Sequence, residues 1–206
     1  MKLNKKNIYR LENFLTKIQV DIYPEPPTQL HNELTQKMVD FVMQNGYLQA
    51  GSKILDIGCG QGVALELFSK KGFFPVGISL GGDDLQVCRT KGFEVYEMDQ
   101  SFLDFEDGHF NFIWCRHCLE HSIFPYYTLA ELFRVLKPRG CLYIEVPAPD
   151  TSCNHQTNRN HYSVLGKSMW RDLITRAGFR LLKIMEINFE TALGFDTYYT
   201  FIQQKP

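Results

Sequence analysis

The sequence predicts an α/β fold: a doubly wound, mostly parallel seven-stranded sheet that ends in an antiparallel C-terminal strand pair. Three observations predict it. From Lys53 onward, short apolar runs alternate with segments of helical spacing, the pattern of a parallel sheet covered by helices on both faces. The first run opens into a glycine-rich loop, Asp56-Ile-Gly-Cys-Gly-Gln-Gly62, with a helical pattern behind it. The last two runs meet across a short turn at Gly194 with no helix between them, which makes them antiparallel to each other.

Each element follows from its spacing. Ile8, Leu11, Leu15 and Ile18, with Phe14 beside them, predict a helix over Ile8 to Val20. Such a helix can pack on the domain, form a lid over a ligand site, or lie on a membrane surface. Pro24-Glu-Pro-Pro27 stops it and stiffens the connection. Leu34, Met38, Phe41 and Val42 share one face of a second helix from His31 to Leu48, with Asn45-Gly46 as its C-cap. Residues 1–50 therefore read as an N-terminal helical extension, and residues 51–206 as the sheet domain. Within that domain, strands are predicted at Lys53 to Ile57, Phe73 to Ser79, Phe93 to Met98, Phe110 to Cys115, Leu142 to Val146, Phe179 to Phe189 and Phe195 to Ile202. Helices are predicted at Val63 to Lys71, Asp84 to Lys91, up to Lys137 ahead of the fifth strand, and Lys167 to Ala177, capped by Gly178.

Composition narrows the function. The 206 residues carry 22 Lys+Arg against 23 Asp+Glu, a net charge of −1, so nothing overall is available to neutralise a phosphate backbone and nucleic acid is not expected as a partner. No apolar run approaches the roughly 18 residues of a membrane span. The basic N-terminus lacks the apolar stretch of a secretion signal, because Glu12, Asn13 and Lys17 interrupt it. The six cysteines are scattered and read as reduced thiols of a cytoplasmic protein. The oligomeric state is left open.

Ligands of such sheets sit beyond the carboxyl ends of the strands. The glycines are spaced G-x-G-x-G, not the G-x-G-x-x-G of a nicotinamide site, and no acid ends the second strand. No Gly-Lys-Ser/Thr follows, which excludes a P-loop. The loop resembles the first motif of the class I S-adenosylmethionine-dependent methyltransferases, with their Rossmann-like fold. Asp99 after the third strand, Leu103 to Ile113 before the fourth, Leu119-Glu-His121 after it and Arg134-Val-Leu-Lys-Pro-Arg-Gly140 before the fifth match that family in order, over roughly Lys53 to Phe201.

The resemblance implies S-adenosyl-L-methionine as cofactor. Asp56, Gly58, Cys59 and Gly60 would lie against it. Asp99 and Gln100, with Ser101 beside them, would meet the adenine. Arg116 and His117 would flank the methionine end. The family usually places an acid where Ser79 stands. Here Ser79-Leu80 and Asp84 (or Asp83) are expected to share the ribose, although Asp83 and Asp84 also suit a helix N-terminus.

Two motifs compete in the fourth-strand loop. Trp114-Cys-Arg-His-Cys118 looks like a redox dithiol, but no other element of that fold accompanies it. His117-Cys-Leu-Glu-His121 looks like a zinc helix, yet Pro125 disfavours the long helix that pattern needs. The polar stretch from Asp150 to Ser163 reads as a substrate loop or as a loop bonded to itself. Glu120, Asp150, Asn158, Asn160 and Tyr162 are the expected substrate contacts, and no metal is expected. The expected reaction is methyl transfer to a small polar or sugar-like acceptor, with His121, then His161, then His155 as the base. The alternatives are methylation of protein or RNA, or cofactor binding without catalysis.

Overall fold

The computed structural model describes residues 3–22 and 26–206. Pro24 and Glu25 of the proline cluster lie outside the described residues. Helix α1 (Lys5–Ile18) starts where Asn4 accepts a hydrogen bond from the Asn7 N–H and runs into a short 3-10 turn at Gln19–Asp21. None of its residues is buried. Helix α2 (Gln29–Gln44) starts earlier than its apolar spacing predicts, because the Thr28 hydroxyl caps the His31 N–H. Its Met38, Val39 and Val42 are fully buried.

The remaining elements alternate as expected: β1 (Lys53–Ile57), α3 (Val63–Lys70), β2 (Phe74–Ser79), α4 (Gly82–Thr90), β3 (Glu94–Glu97), β4 (Phe110–Arg116), α5 (Pro125–Val135), β5 (Leu136–Pro147), α6 (Lys167–Arg176), β6 (Arg180–Thr191) and β7 (Gly194–Gln204). They form one seven-stranded sheet in the order β3-β2-β1-β4-β5-β7-β6. The first five strands are parallel, and β7 runs antiparallel to both β5 and β6. The α5–β5 boundary differs from expectation. The helix predicted up to Lys137 ends at Val135, and the chain passes directly into β5, which is twelve residues long. Leu136 already pairs with Phe110 there, across an irregularity in the register, so pairing overrides helical spacing.

Strand alternation sorts the core onto two faces. Ile54, Phe112, Trp114 and Tyr143 point to the side covered by α2 and α3, where Trp114 and Tyr143 stack at 4.1 Å. Leu55, Ile57, Ile113, Leu142 and Ile144 point to the side covered by α5 and α6, against Leu129, Leu132, Trp170 and Ile174. Near-continuous apolar strands are what a sheet buried on both faces demands.

Candidate functional site

The carboxyl ends of β1, β2, β3 and β4 open into one cavity of about 680 Å³, within the usual range for small-molecule sites. It lies where the strand order reverses between β1 and β4, so loops from neighbouring strands diverge and leave a crevice. The glycine-rich loop forms its floor. Gly58, Gly60 and Gly62 hold φ of +69°, +47° and +87°, the left-handed region glycine enters without strain. The N–H groups of Gly58 and Cys59 both donate to the Ile78 carbonyl, which locks the loop onto β2. The packing behind it is close. A Cβ on Gly77 would sit 2.7 Å from the Cys59 sulfur and 3.1 Å from Leu65. Gly77→Ala is expected to lower stability by about 1–3 kcal/mol, as overpacked cores do. Thermal unfolding measures this, and an unchanged melting temperature would show that the loop yields freely.

Asp56 ends β1 on that floor. It is 3% exposed, and its Oδ2 has no hydrogen-bond partner among the described residues. Burial, and secondarily Cys88, pushes its carboxyl well above the usual carboxylate range, against the pull of Arg116. On the next strand, the Ser79 hydroxyl accepts from the Gly81 N–H at 3.1 Å. A Cβ on Gly81 would lie 3.3 Å from Asp84 Oδ2 and 3.6 Å from Ser79 Oγ, so both side chains flank one turn. Asp84 is buried, with Oδ1 unpartnered among the described residues. After β3, Asp99 accepts from the Ser101 N–H, and Gln100 donates to the Cys118 carbonyl while its Oε1 has no partner. The Ser101 hydroxyl is engaged with Thr128.

A buried charge network fills the far wall. Arg116 Nε stands 2.6 Å from Glu145 Oε1 in a charge contact, and its Nη1 donates to His31 Nδ1 and to the Thr35 hydroxyl on α2. A guanidinium only donates, so His31 must accept and stay neutral. Burial, then Arg116, pulls the His31 pKa down to about 4 accordingly. His117 sits at φ +51°, its Nε2 3.0 Å from Glu145 Oε1 and its Nδ1 3.6 Å from Glu120 Oε1. Burial and Arg116 oppose its charge, but the bonds to Glu120 and Glu145 prevail and raise its pKa. The Tyr143 hydroxyl donates to the other Glu145 oxygen.

The loop between β5 and α6 supplies the mouth. His121 Nδ1 lies 2.9 Å from the Asn160 carbonyl, and the His121 and His161 rings are 4.7 Å apart. His155 Nε2 contacts both oxygens of buried Asp196, at 3.1 and 2.9 Å. Asn158, Asn160 and Tyr162 also line the cavity, and Leu15 and Ile18 of α1 and Leu34 of α2 add apolar surface to it.

The cofactor residues expected from sequence line this cavity, apart from Ser101 and the alternative Asp83, as do His121, His155, His161, Glu120, Asn158, Asn160 and Tyr162. Asp150 does not. Its backbone is left-handed at φ +60°, and its carboxylate faces Gln156 instead. The dithiol reading also fails: Cys118 sits beside Cys115, and that contact together with burial raises its thiol pKa, opposite to a reactive thiolate. His31, Thr35, Glu145, Asp196 and Tyr198 were not expected at the site. Only Glu145 left a signal, as a lone acid inside the apolar run Leu142 to Val146.

A family model described as a methyltransferase domain matches residues 30–184. A ubiquinone biosynthesis O-methyltransferase of Hahella chejuensis is 30% identical over 119 residues, covering 54% of this chain and 50% of that protein. Its counterpart in Aromatoleum aromaticum is 26% identical over 161 residues, covering 75% and 66%. The chain spans about half the length of the curated relatives it matches. Among solved structures, a SAM-dependent methyltransferase from Archaeoglobus fulgidus has a TM-score of 0.73 at 20% identity, covering 84% of this chain and 94% of that one. One from Methanosarcina mazei has a TM-score of 0.64 at 24% identity, covering 79% and 96%.

Proposed function

Because the chain belongs to the S-adenosylmethionine-dependent methyltransferase family, we propose that its cavity transfers a methyl group from S-adenosylmethionine to a hydroxyl of a small polar acceptor. The observation that supports this reading best is the set of buried oxygens on the cavity wall that have no donor among the described residues: Asp56 Oδ2, Asp84 Oδ1 and Gln100 Oε1. Such a set is costly unless a ligand brings donors and positive charge. The cofactor has both, as an ammonium group, ribose hydroxyls, an adenine amine and a sulfonium.

In this reading Asp56 takes the ammonium and the floor of Gly58, Cys59 and Gly60 lies under the methionine part. Ser79 and Asp84 hold the ribose, with Leu80 beside it. Asp99 and Gln100 meet the adenine. Arg116 and His117 position the wall beside the methionine end rather than binding through free charge. When bound, the cofactor supplies an electrophilic methyl group on sulfur. An acceptor hydroxyl held in line by the cavity wall would take that methyl group in exchange for its own proton, a C–O bond replacing the C–S bond. The hydroxyl proton must leave, and the groups placed to promote this are His121, then His161, then His155. Glu120, Asn158, Asn160 and Tyr162 orient the acceptor. Most of the rate gain comes from position and exclusion of water.

An oxygen acceptor agrees with the relatives named as O-methyltransferases. The apolar stripe of Leu15, Ile18 and Leu34 serves as a lid against the acceptor. The reading is tested by turnover on a panel of hydroxylated acceptors. His121→Ala is expected to lower kcat about a hundredfold with cofactor affinity unchanged. An unaltered kcat would remove His121 from the reaction.

A further inference from the structure

The sequence pattern His117-Cys-Leu-Glu-His121 was set aside as a zinc helix, and the fold indeed makes only a 3-10 turn of Leu119–His121 there. The tertiary structure brings a different third partner. A ligand atom from each of Glu120, His121 and His161 lies within 4.8 Å of the other two. We propose that Glu120, His121 and His161 form a binding site for a divalent transition-metal cation at the mouth of the cavity. This deepens the methyl-transfer reading and rests on it, since it says how that site handles the acceptor hydroxyl.

Three features of the geometry carry the assignment. First, both imidazoles are oriented as metal ligands are. His121 Nδ1 contacts the Asn160 carbonyl and His161 Nδ1 contacts the His155 carbonyl, each at 2.9 Å. A carbonyl only accepts, so both Nδ1 atoms carry the proton. In the neutral ring Nε2 then carries the lone pair, and a backbone carbonyl on the other nitrogen is the usual support for a ligating histidine. Second, Glu120 is 1% exposed, and its Oε2 has no hydrogen-bond partner among the described residues. Its other oxygen faces His117 at 3.6 Å, which leaves Oε2 for a cation. Third, the loop backbone is tied to this turn: the N–H groups of Tyr162 and Ser163 both donate to the Glu120 carbonyl. The ligands therefore come from two segments fixed to each other.

Two histidines and one carboxylate leave coordination positions open and suit manganese, iron, cobalt or zinc better than an all-oxygen cation. An acceptor hydroxyl at an open position would be acidified, so His121 and His161 would promote loss of its proton as ligands rather than as bases, and the proton would pass to water at the mouth. The other candidate cluster, Cys153, His155 and Asp196, is weaker. There His155 Nε2 and the Asp196 carboxylate already satisfy each other.

The test is titration of Mn2+ into the chelator-stripped full chain, read by loss of the free-ion electron paramagnetic resonance signal, with a calorimetric Zn2+ titration beside it. One Mn2+ per chain is expected, with affinity reduced roughly tenfold or more in Glu120→Gln and in His161→Gln and unchanged in Cys153→Ser. No binding to the wild-type chain overturns the proposal. So does binding that survives His161→Gln, or that Cys153→Ser abolishes. S-adenosylmethionine titration of the same samples reports folding of the variants. It also separates the two readings, because a chain that binds Mn2+ as expected but not the cofactor refutes methyl transfer and leaves the cation site standing.

Discussion

Glu145→Ala is expected to destabilise the fold by roughly 3–5 kcal/mol, the cost of breaking a buried ion pair by removing one partner. Glu145 is fully buried and meets Arg116, His117 and Tyr143 at once. Without it, the hydrogen bonds left to the Arg116 guanidinium among the described residues go to His31 and the Thr35 hydroxyl, neither of them an anion. The loss also loosens α2, which Arg116 ties to the end of β4, so the cavity wall and the N-terminal helix change together. Glu145→Gln keeps the shape and retains part of the hydrogen bonding, so its loss is expected to be smaller.

The same network sets a pH dependence. Burial opposes the Glu145 charge, but Arg116 and His117 hold its carboxyl pKa down at about 2, against an ordinary 4.5. A depressed acid contributes stability that is complete above pH 4.5 and is lost as pH falls toward 2. His117, whose pKa is raised, contributes in the opposite sense: fully below its ordinary 6.5, and less as pH rises through its folded value. Urea unfolding of the wild type and Glu145→Gln, near neutrality and at about pH 3, measures this. The gap between them is expected to shrink in acid. A gap that stays constant would show that Glu145 contributes packing and no charge.

Asp56→Asn is expected to weaken S-adenosylmethionine binding by roughly ten- to a hundredfold, the value of a charge-assisted hydrogen bond. The same change is expected to raise the melting temperature of the ligand-free chain. The carboxylate is buried, its Oδ2 has no partner, and burial raises its pKa. A raised acid costs stability as pH climbs from its ordinary 3.8 through its folded value. An amide removes that cost along with the cofactor's anion. Calorimetry and thermal unfolding together decide it: unchanged affinity with a raised melting temperature would make Asp56 a burdened structural residue only. Ser79→Ala and Asp84→Ala are each expected to lower affinity severalfold, and affinity unchanged in both would remove the ribose assignment.

Local chemistry made much of this molecule legible in advance. The Lys53–Ile57 strand, the glycine loop behind Asp56 and the Gly178 turn after α6 follow from spacing and backbone preference within a few neighbouring residues. That the loops after β1, β2, β3 and β4 would line one cavity was readable for the same reason, because strand ends are marked by short apolar runs giving way to glycine or polar residues. The α5–β5 boundary was not readable, since Leu136 joins the sheet through its partner Phe110, twenty-six positions away in sequence.

The charge network and the mouth belong to the same class. Glu145 meets Arg116 across adjacent strands, and Arg116 meets His31 at a separation of 85 residues. His161 meets Glu120 and His121 only because the loop after β5 folds back on the turn after β4. Asp150 shows the converse: polar residue type alone pointed to substrate, and a left-handed backbone turned its carboxylate to Gln156. Strand, helix and glycine turn are short-range properties and therefore written in consecutive residues. Which histidine faces which carboxylate is a long-range property, decided by how the sheet orders its strands and where the loops beyond their ends come to rest.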